Sequence, residues 1–137
     1  MGERHRAREL ALQMLYRHEL SKADLDSMMD DFDELRKAPE GVKKFAFELA
    51  QGVLDHLVEV DRELAIQTAN WRLERVAAVD RNILRLAAYE LLHQPTTPPA
   101  VVIDEAIEIA KKFAAEESAG FINGVLDGLR KRKVQSG

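Results

Sequence analysis

A chain of 137 residues, 46 % apolar and 32 % charged, suits one compact domain or two small lobes sharing a core, which excludes a disordered or membrane-spanning protein. No apolar run approaches the ~20 residues of a bilayer-crossing helix. The start, charged from Glu3 onward, lacks the apolar stretch of a signal peptide. With no cysteine, disulfides, thiolate catalysis and thiolate metal sites are excluded, and a reducing cytoplasm is the expected location.

Helical periodicity runs through the chain. Ala7, Leu10, Ala11, Met14 and Leu15 fall at i, i+3, i+4, i+7 and i+8 and form one apolar stripe. Ser21 and Asp24 mark the stop of that helix and the start of the next, a short acidic helix expected from about Asp24 to Lys37. Pro39 and Gly41 punctuate it, and Pro39 suits the first turn of a third, long helix. Phe45, Leu49, Gly52, Val53, His56 and Val60 line one side of that helix, which either runs on or breaks and restarts before Trp71. His56 reads as a hydrogen-bonded core histidine rather than a ligand. Glycine costs about 1 kcal/mol in a helix interior, so Gly52 predicts a close helix contact.

From Glu74 a strong helix is expected to carry Val76, Val79, Asp80, Ile83, Leu84, Ala87 and Leu91, until the His93–Pro99 stretch breaks it. The next helix is expected over about Val101 to Ala115, with Asp104 and Glu105 in its first turn and Lys111 and Lys112 in its last, matching the helix dipole. Ser118 can cap a final helix carrying Phe121, Ile122, Val125, Leu126 and Leu129. No strand-like alternation and no fixed-period repeat is present. The fold class is all-α, in about seven helices, with a soft boundary near Trp71 between sub-bundles of roughly 1–72 and 73–137.

The net charge of −4 argues against a protein coated all over in nucleic acid, but the charge is unevenly spread. Arg4, His5, Arg6 and Arg8 crowd the start and Arg130, Lys131, Arg132 and Lys133 the end, while Asp24, Asp26, Asp30, Asp31, Asp33 and Glu34 concentrate the acids. The carboxy-terminal run reads more readily as a solvated tail than as a binding site. On the first helix Arg4, Arg8, Leu12 and Tyr16 step by four. Arginine offers phosphate a fixed fork of donors, and tyrosine offers a ring to an unstacked base. The spacing alone fits a single-stranded RNA face and a solvated face with a half-buried tyrosine equally well.

Asp80 sits inside an apolar stripe and needs a partner. An ion pair with Arg81 or Arg85 is the default, and a surface for another protein is the sharper alternative. Gly120, Gly124 and Gly128 recur every four residues in one predicted helix, which requires something to come close: a packed helix or, less readily, a nucleic-acid backbone. Phe121 and Asn123 beside them can offer a stacking ring and an amide. Chemistry-bearing motifs are weak. Glu90-Leu-Leu-His93 has the E-x-x-H spacing of di-metal bundles, but no second such pair exists, and P-loop, G-x-S-x-G and H-E-x-x-H motifs are absent. No catalytic residue, no metal and no cofactor are expected.

The residues themselves carry further than their periodicity. Arg4-His-Arg-Ala-Arg-Glu-Leu-Ala-Leu-Gln-Met-Leu-Tyr16 resembles the opening helix of the NusB family. Asn70-Trp-Arg-Leu-Glu-Arg75 and Val79-Asp-Arg-Asn-Ile-Leu-Arg-Leu-Ala-Ala-Tyr-Glu-Leu91 resemble its central signature. The Pro98–Phe113 and Ser118–Asp127 stretches complete the likeness, in order, over nearly the whole chain. The resemblance implies two helical bundles packed together and a bacterial transcription antitermination factor that performs no catalysis. It implies binding of single-stranded boxA RNA in ribosomal RNA leaders together with the ribosomal protein NusE, followed by modification of RNA polymerase in an antitermination complex. It also implies that Arg4, His5, Arg6, Arg8, Tyr16, Phe121 and Asn123 meet RNA, and that Tyr16 and Asp80 meet NusE.

Three departures qualify the likeness: His5 stands where relatives often have arginine, Gly120 where many have lysine, and Ala114-Ala115 where a glycine pair is common. The basic losses lower the expected RNA affinity. The length leaves no room for a fused methyltransferase, so a stand-alone factor is preferred, and both monomer and homodimer are compatible with the sequence. The rival reading is a purely protein-interacting helical bundle. A metal enzyme is the third.

Overall fold

A computed structural model describes residues 2–68 and 72–136, with side chains described through residue 133. The described residues form eight α-helices and one 3-10 turn, in two compact units, Met1–Asp55 and His56–Gly137. The boundary expected near Trp71, like the Asn70-Trp71 pair of the signature, lies outside the described residues.

The first unit holds α1 (Gly2–Ser21), α2 (Leu25–Asp31), α3 (Asp33–Arg36) and α4 (Glu40–Asp55), with α1 laid against α4 and α2. The stripe expected on α1 is the buried one: Ala7, Leu10, Ala11, Met14 and Leu15 are all enclosed. Helix α1 closes through Lys22, whose left-handed backbone (φ 61°) lets its N–H reach the His18 carbonyl at 2.8 Å. Asp24 then caps α2 by accepting from the Asp26 N–H. The single acidic helix expected over Asp24–Lys37 is instead two. The break is Phe32, extended at φ −86° and ψ 106°, whose ring is buried while the Arg17 guanidinium lies 4.0 Å above it. Burying that ring outweighs the one or two helical hydrogen bonds forgone at the break.

The second unit begins at the other break. The long helix expected from Pro39 onward stops at Asp55, and His56 (φ −116°, ψ 22°) separates it from α5 (Leu57–Gln67). A 3-10 turn (Leu73–Arg75), α6 (Ala78–His93), α7 (Pro99–Phe113) and α8 (Ser118–Ser136) follow. Helix α6 starts four residues later than Glu74. Val76 is extended, and Arg81 Nη1 donates to the Val76 carbonyl at 2.5 Å, meeting an acceptor that a longer helix would have used. Helix α6 packs against α5, α7 and α8. That central position buries more than one stripe of it, Asn82, Leu86, Ala88, Tyr89 and Glu90 as well as Ile83, Leu84 and Ala87.

Pro99 opens α7 at its first position, two residues before the expected start, so Asp104 and Glu105 fall past the first turn while Lys111 and Lys112 do end the helix. At Gly128 a Cβ would meet the far end of the Gln67 side chain on α5, a flexible amide that can move aside, so the glycine gives that side chain room without being required for the approach of α5 and α8. Among the described residues nothing lies within 4 Å of a Cβ built on Gly120 or Gly124, so the expected close helix contact is not seen at either.

Candidate RNA and protein interfaces

Helix α1 does not present its arginines alike. Arg4 is exposed, and its guanidinium carbon stands 4.1 Å from the centroid of the Phe45 ring on α4. His5 Nε2 lies 3.1 Å from Glu9 Oε2. Arg6 donates to Glu9 Oε1 at 3.1 Å and to Glu34 Oε2 at 3.2 Å. Arg8 is 4 % exposed, its guanidinium 5.9 Å from the same Phe45 ring. The step-of-four stripe is therefore not one open face, because Leu12 is buried too and Tyr16 is half-buried. The buried Glu9, absent from the sequence reading, gathers two of the expected RNA contacts. Its i+3 and i+4 spacing to Arg6 and His5 was the signal for it.

In the second unit, residues at the start of α6, the end of α7 and the start of α8 enclose a mainly apolar groove of about 560 Å³. Val76, Val79, Phe113 and Phe121 supply its walls, and Asp80, Ser118, Arg75 and Glu117 its polar groups. The Ser118 hydroxyl donates to both carboxylate oxygens of Asp80, at 3.0 and 2.9 Å. The default expectation for Asp80 is corrected by its surroundings. Arg85 instead grips Asp61 with two bonds of 2.9 Å, and Arg81 donates to the carbonyls of Val76 and Leu73. The hydroxyl of Ser118 thus serves Asp80, and Asp80 holds α8 to α6 at the edge of the groove. Phe121 is half-buried, and Asn123, Gly120 and Gly124 are exposed beside it, leaving bare helix surface at the start of α8.

The carboxy-terminal basic run is the last part of α8 and is ion-paired. Arg130 and Lys131 reach Asp127 at 2.9 and 3.0 Å, Arg132 contacts Glu63, and Lys133 lies 3.8 Å from Glu63. The Asp127 carboxyl is held below its ordinary value, chiefly by the hydrogen bond from Lys131.

His56 sits in a ring cluster rather than in a closed core. Its ring centroid is 4.1 Å from that of His93 and 5.6 Å from that of Tyr89. His93 Nε2 lies 2.7 Å from Glu59 Oε1, a bond that lowers the Glu59 pKa. The E-x-x-H pair does not converge on one point: Glu90 is buried, and His93 turns to Glu59.

A family model described as the NusB family matches residues 5–131. The transcription antitermination protein NusB of Sorangium cellulosum is 46 % identical over 130 residues, covering 94 % of this chain and 92 % of that protein. That of Trichlorobacter lovleyi is 45 % identical over 129 residues, covering 94 % and 91 %. Among solved structures, T. maritima NusB superimposes with a TM-score of 0.85 at 38 % identity, over 93 % of this chain and 90 % of that one. A crystal structure of the antitermination factors NusB and NusE in complex with double-stranded RNA gives a TM-score of 0.86 at 27 % identity, over 96 % and 98 %.

Proposed function

This chain belongs to the NusB family, and from that membership we propose that it is a transcription antitermination factor that binds boxA-type single-stranded RNA of ribosomal RNA leaders together with NusE and catalyses no reaction. The observation that carries the reading is the near end-to-end match to antitermination proteins. The likeness to the NusB–NusE–RNA structure supports both partners. No helix among the described residues is long and apolar enough to cross a membrane. The cytoplasm, where nascent bacterial RNA is made, is the proposed location.

Within that reading, Arg4 and Arg6 are the phosphate contacts of the first unit and His5 a weaker one, since Glu9 and Glu34 already draw on Arg6 and His5. Buried Arg8 supports the helix rather than the RNA. Tyr16 remains a candidate for RNA and for NusE. Phe121 and Asn123 supply a ring and an amide to an unstacked base. The groove beside Asp80, apolar with one carboxylate, suits a protein partner carrying apolar and basic side chains, which favours NusE there.

The test is to mix the protein with NusE and with boxA-type RNA, single-stranded or duplex, and to follow complex formation by size-exclusion and anisotropy. A ternary complex that forms only with the single strand is expected. Absence of RNA binding with NusE present would sink the reading. Asp80→Asn is expected to weaken NusE pairing more than RNA binding. Equal loss of both would make Asp80 and Ser118 a purely structural pair.

A further inference from the structure

We infer that Phe45 is a positioning residue for RNA, seating the Arg4 guanidinium so that α4 as well as α1 builds the phosphate-binding face. The inference rests on the RNA-binding reading above. Arg6 and His5 spend donors on Glu9, and Arg6 also on Glu34. Arg8 is enclosed. Arg4 differs: it is exposed, and its described contact is the face of Phe45 at 4.1 Å.

An aromatic face holds a cation through its quadrupole and takes up none of the five guanidinium N–H donors, whereas a carboxylate takes one or two. A ring-seated arginine therefore keeps its donors for a phosphate. It has also surrendered part of its rotamer freedom before RNA arrives, so less is lost on binding. The seat itself is firm, because Phe45 is half-buried on α4, the helix against which α1 packs. Exposed Lys44 precedes Phe45 on α4 and adds positive charge beside it.

The experiment measures affinity for a labelled single-stranded boxA-type oligonucleotide, with NusE present, across a salt series, with thermal unfolding of every variant. The proteins are the wild type, Arg4→Ala, Phe45→Met, Phe45→Trp and the Arg4→Ala/Phe45→Met double variant. Phe45→Met, which keeps an apolar side chain without the ring, is expected to weaken binding about two- to five-fold. It should flatten the log–log salt slope by up to about 0.7. Phe45→Trp, which keeps the ring face, should bind like wild type, and the double variant should bind no more weakly than Arg4→Ala alone. If Phe45→Met unfolds, the comparison of Phe45→Trp and Phe45→Leu decides by the same criteria.

Wild-type binding with an unaltered Phe45→Met, or losses that add in full in the double variant, would overturn the inference and leave the RNA reading standing. A wild type without salt-dependent RNA binding would overturn the RNA reading, and the inference with it.

Discussion

Arg4, His5, Arg6 and Arg8 lie near the start of the chain, and Arg130, Lys131, Arg132 and Lys133 near its end. As charge the two clusters are close to equivalent. In the folded units they are not. Each of the four carboxy-terminal cations shares a carboxylate, Asp127 or Glu63. The amino-terminal four divide into a pair on Glu9, one enclosed arginine and one arginine on an aromatic ring. A basic run in a sequence is a count of charges, while an RNA site needs donors left over after the protein has used its own.

The strongest way to break this contrast is Arg8→Ala. If Arg8 belongs to the fold, the change should cost about 1–3 kcal/mol of stability, through lost packing of its stem and loss of a buried charge's partners. The melting temperature should fall by several degrees, with little change in RNA affinity once binding is measured below that temperature. An unchanged melting temperature with weakened RNA binding would return Arg8 to the interface.

Phe121→Ala sharpens the second unit's share. Loss of a stacked base should weaken RNA binding by roughly 1–3 kcal/mol while thermal unfolding stays nearly unchanged. A large drop in melting temperature would make the half-buried ring a core residue instead. Charge removal at the two ends then tests the contrast directly. Arg6→Ala should flatten the salt slope by less than the ~0.7 of a full phosphate contact, because Glu9 and Glu34 already hold that side chain. Lys131→Ala with Lys133→Ala should leave the slope where it was. Equal flattening at both ends would dissolve the distinction.

The smallest expected effect concerns Glu59. Its pKa is lowered by the His93 hydrogen bond, so the folded state binds its proton less readily than the unfolded state does. The contribution is present at pH values above the ordinary carboxylate range and is lost as pH falls through the lowered folded value. Glu59 is 42 % exposed, which limits the effect to below about 1 kcal/mol. Glu59→Gln should therefore be slightly less stable than wild type at neutral pH, and the gap should close in acid. A gap that persists at pH 2 would assign it to packing rather than charge.

Much of the fold was legible locally. The α1 stripe, the Asp24 cap, the His93–Pro99 break and the α8 core positions Ile122, Val125, Leu126 and Leu129 all follow from period, capping and proline chemistry, which act within a turn or two. What those rules missed was decided by side-chain burial and side-chain hydrogen bonds. Phe32 breaks a helix to bury its ring, and Arg81 shortens α6 from its start by holding the carbonyls of the turn before it. Gly128 has the Gln67 side chain of α5 against it while Gly120 and Gly124, in the same repeat, have no such neighbour among the described residues. For the interfaces, the sequence named Arg4, Tyr16, Asp80, Phe121 and Asn123, but Phe45 stood in it only as one member of an apolar stripe.

The order of helices, the all-α class and family membership were thus determined by the sequence alone, because periodicity and long ordered motifs survive without coordinates. Which cations keep their donors, and which carboxylates take them, was decided only by tertiary structure. Glu34 is 28 residues from Arg6 and Glu63 is 69 from Arg132, separations at which no spacing rule applies and only packing brings charges together.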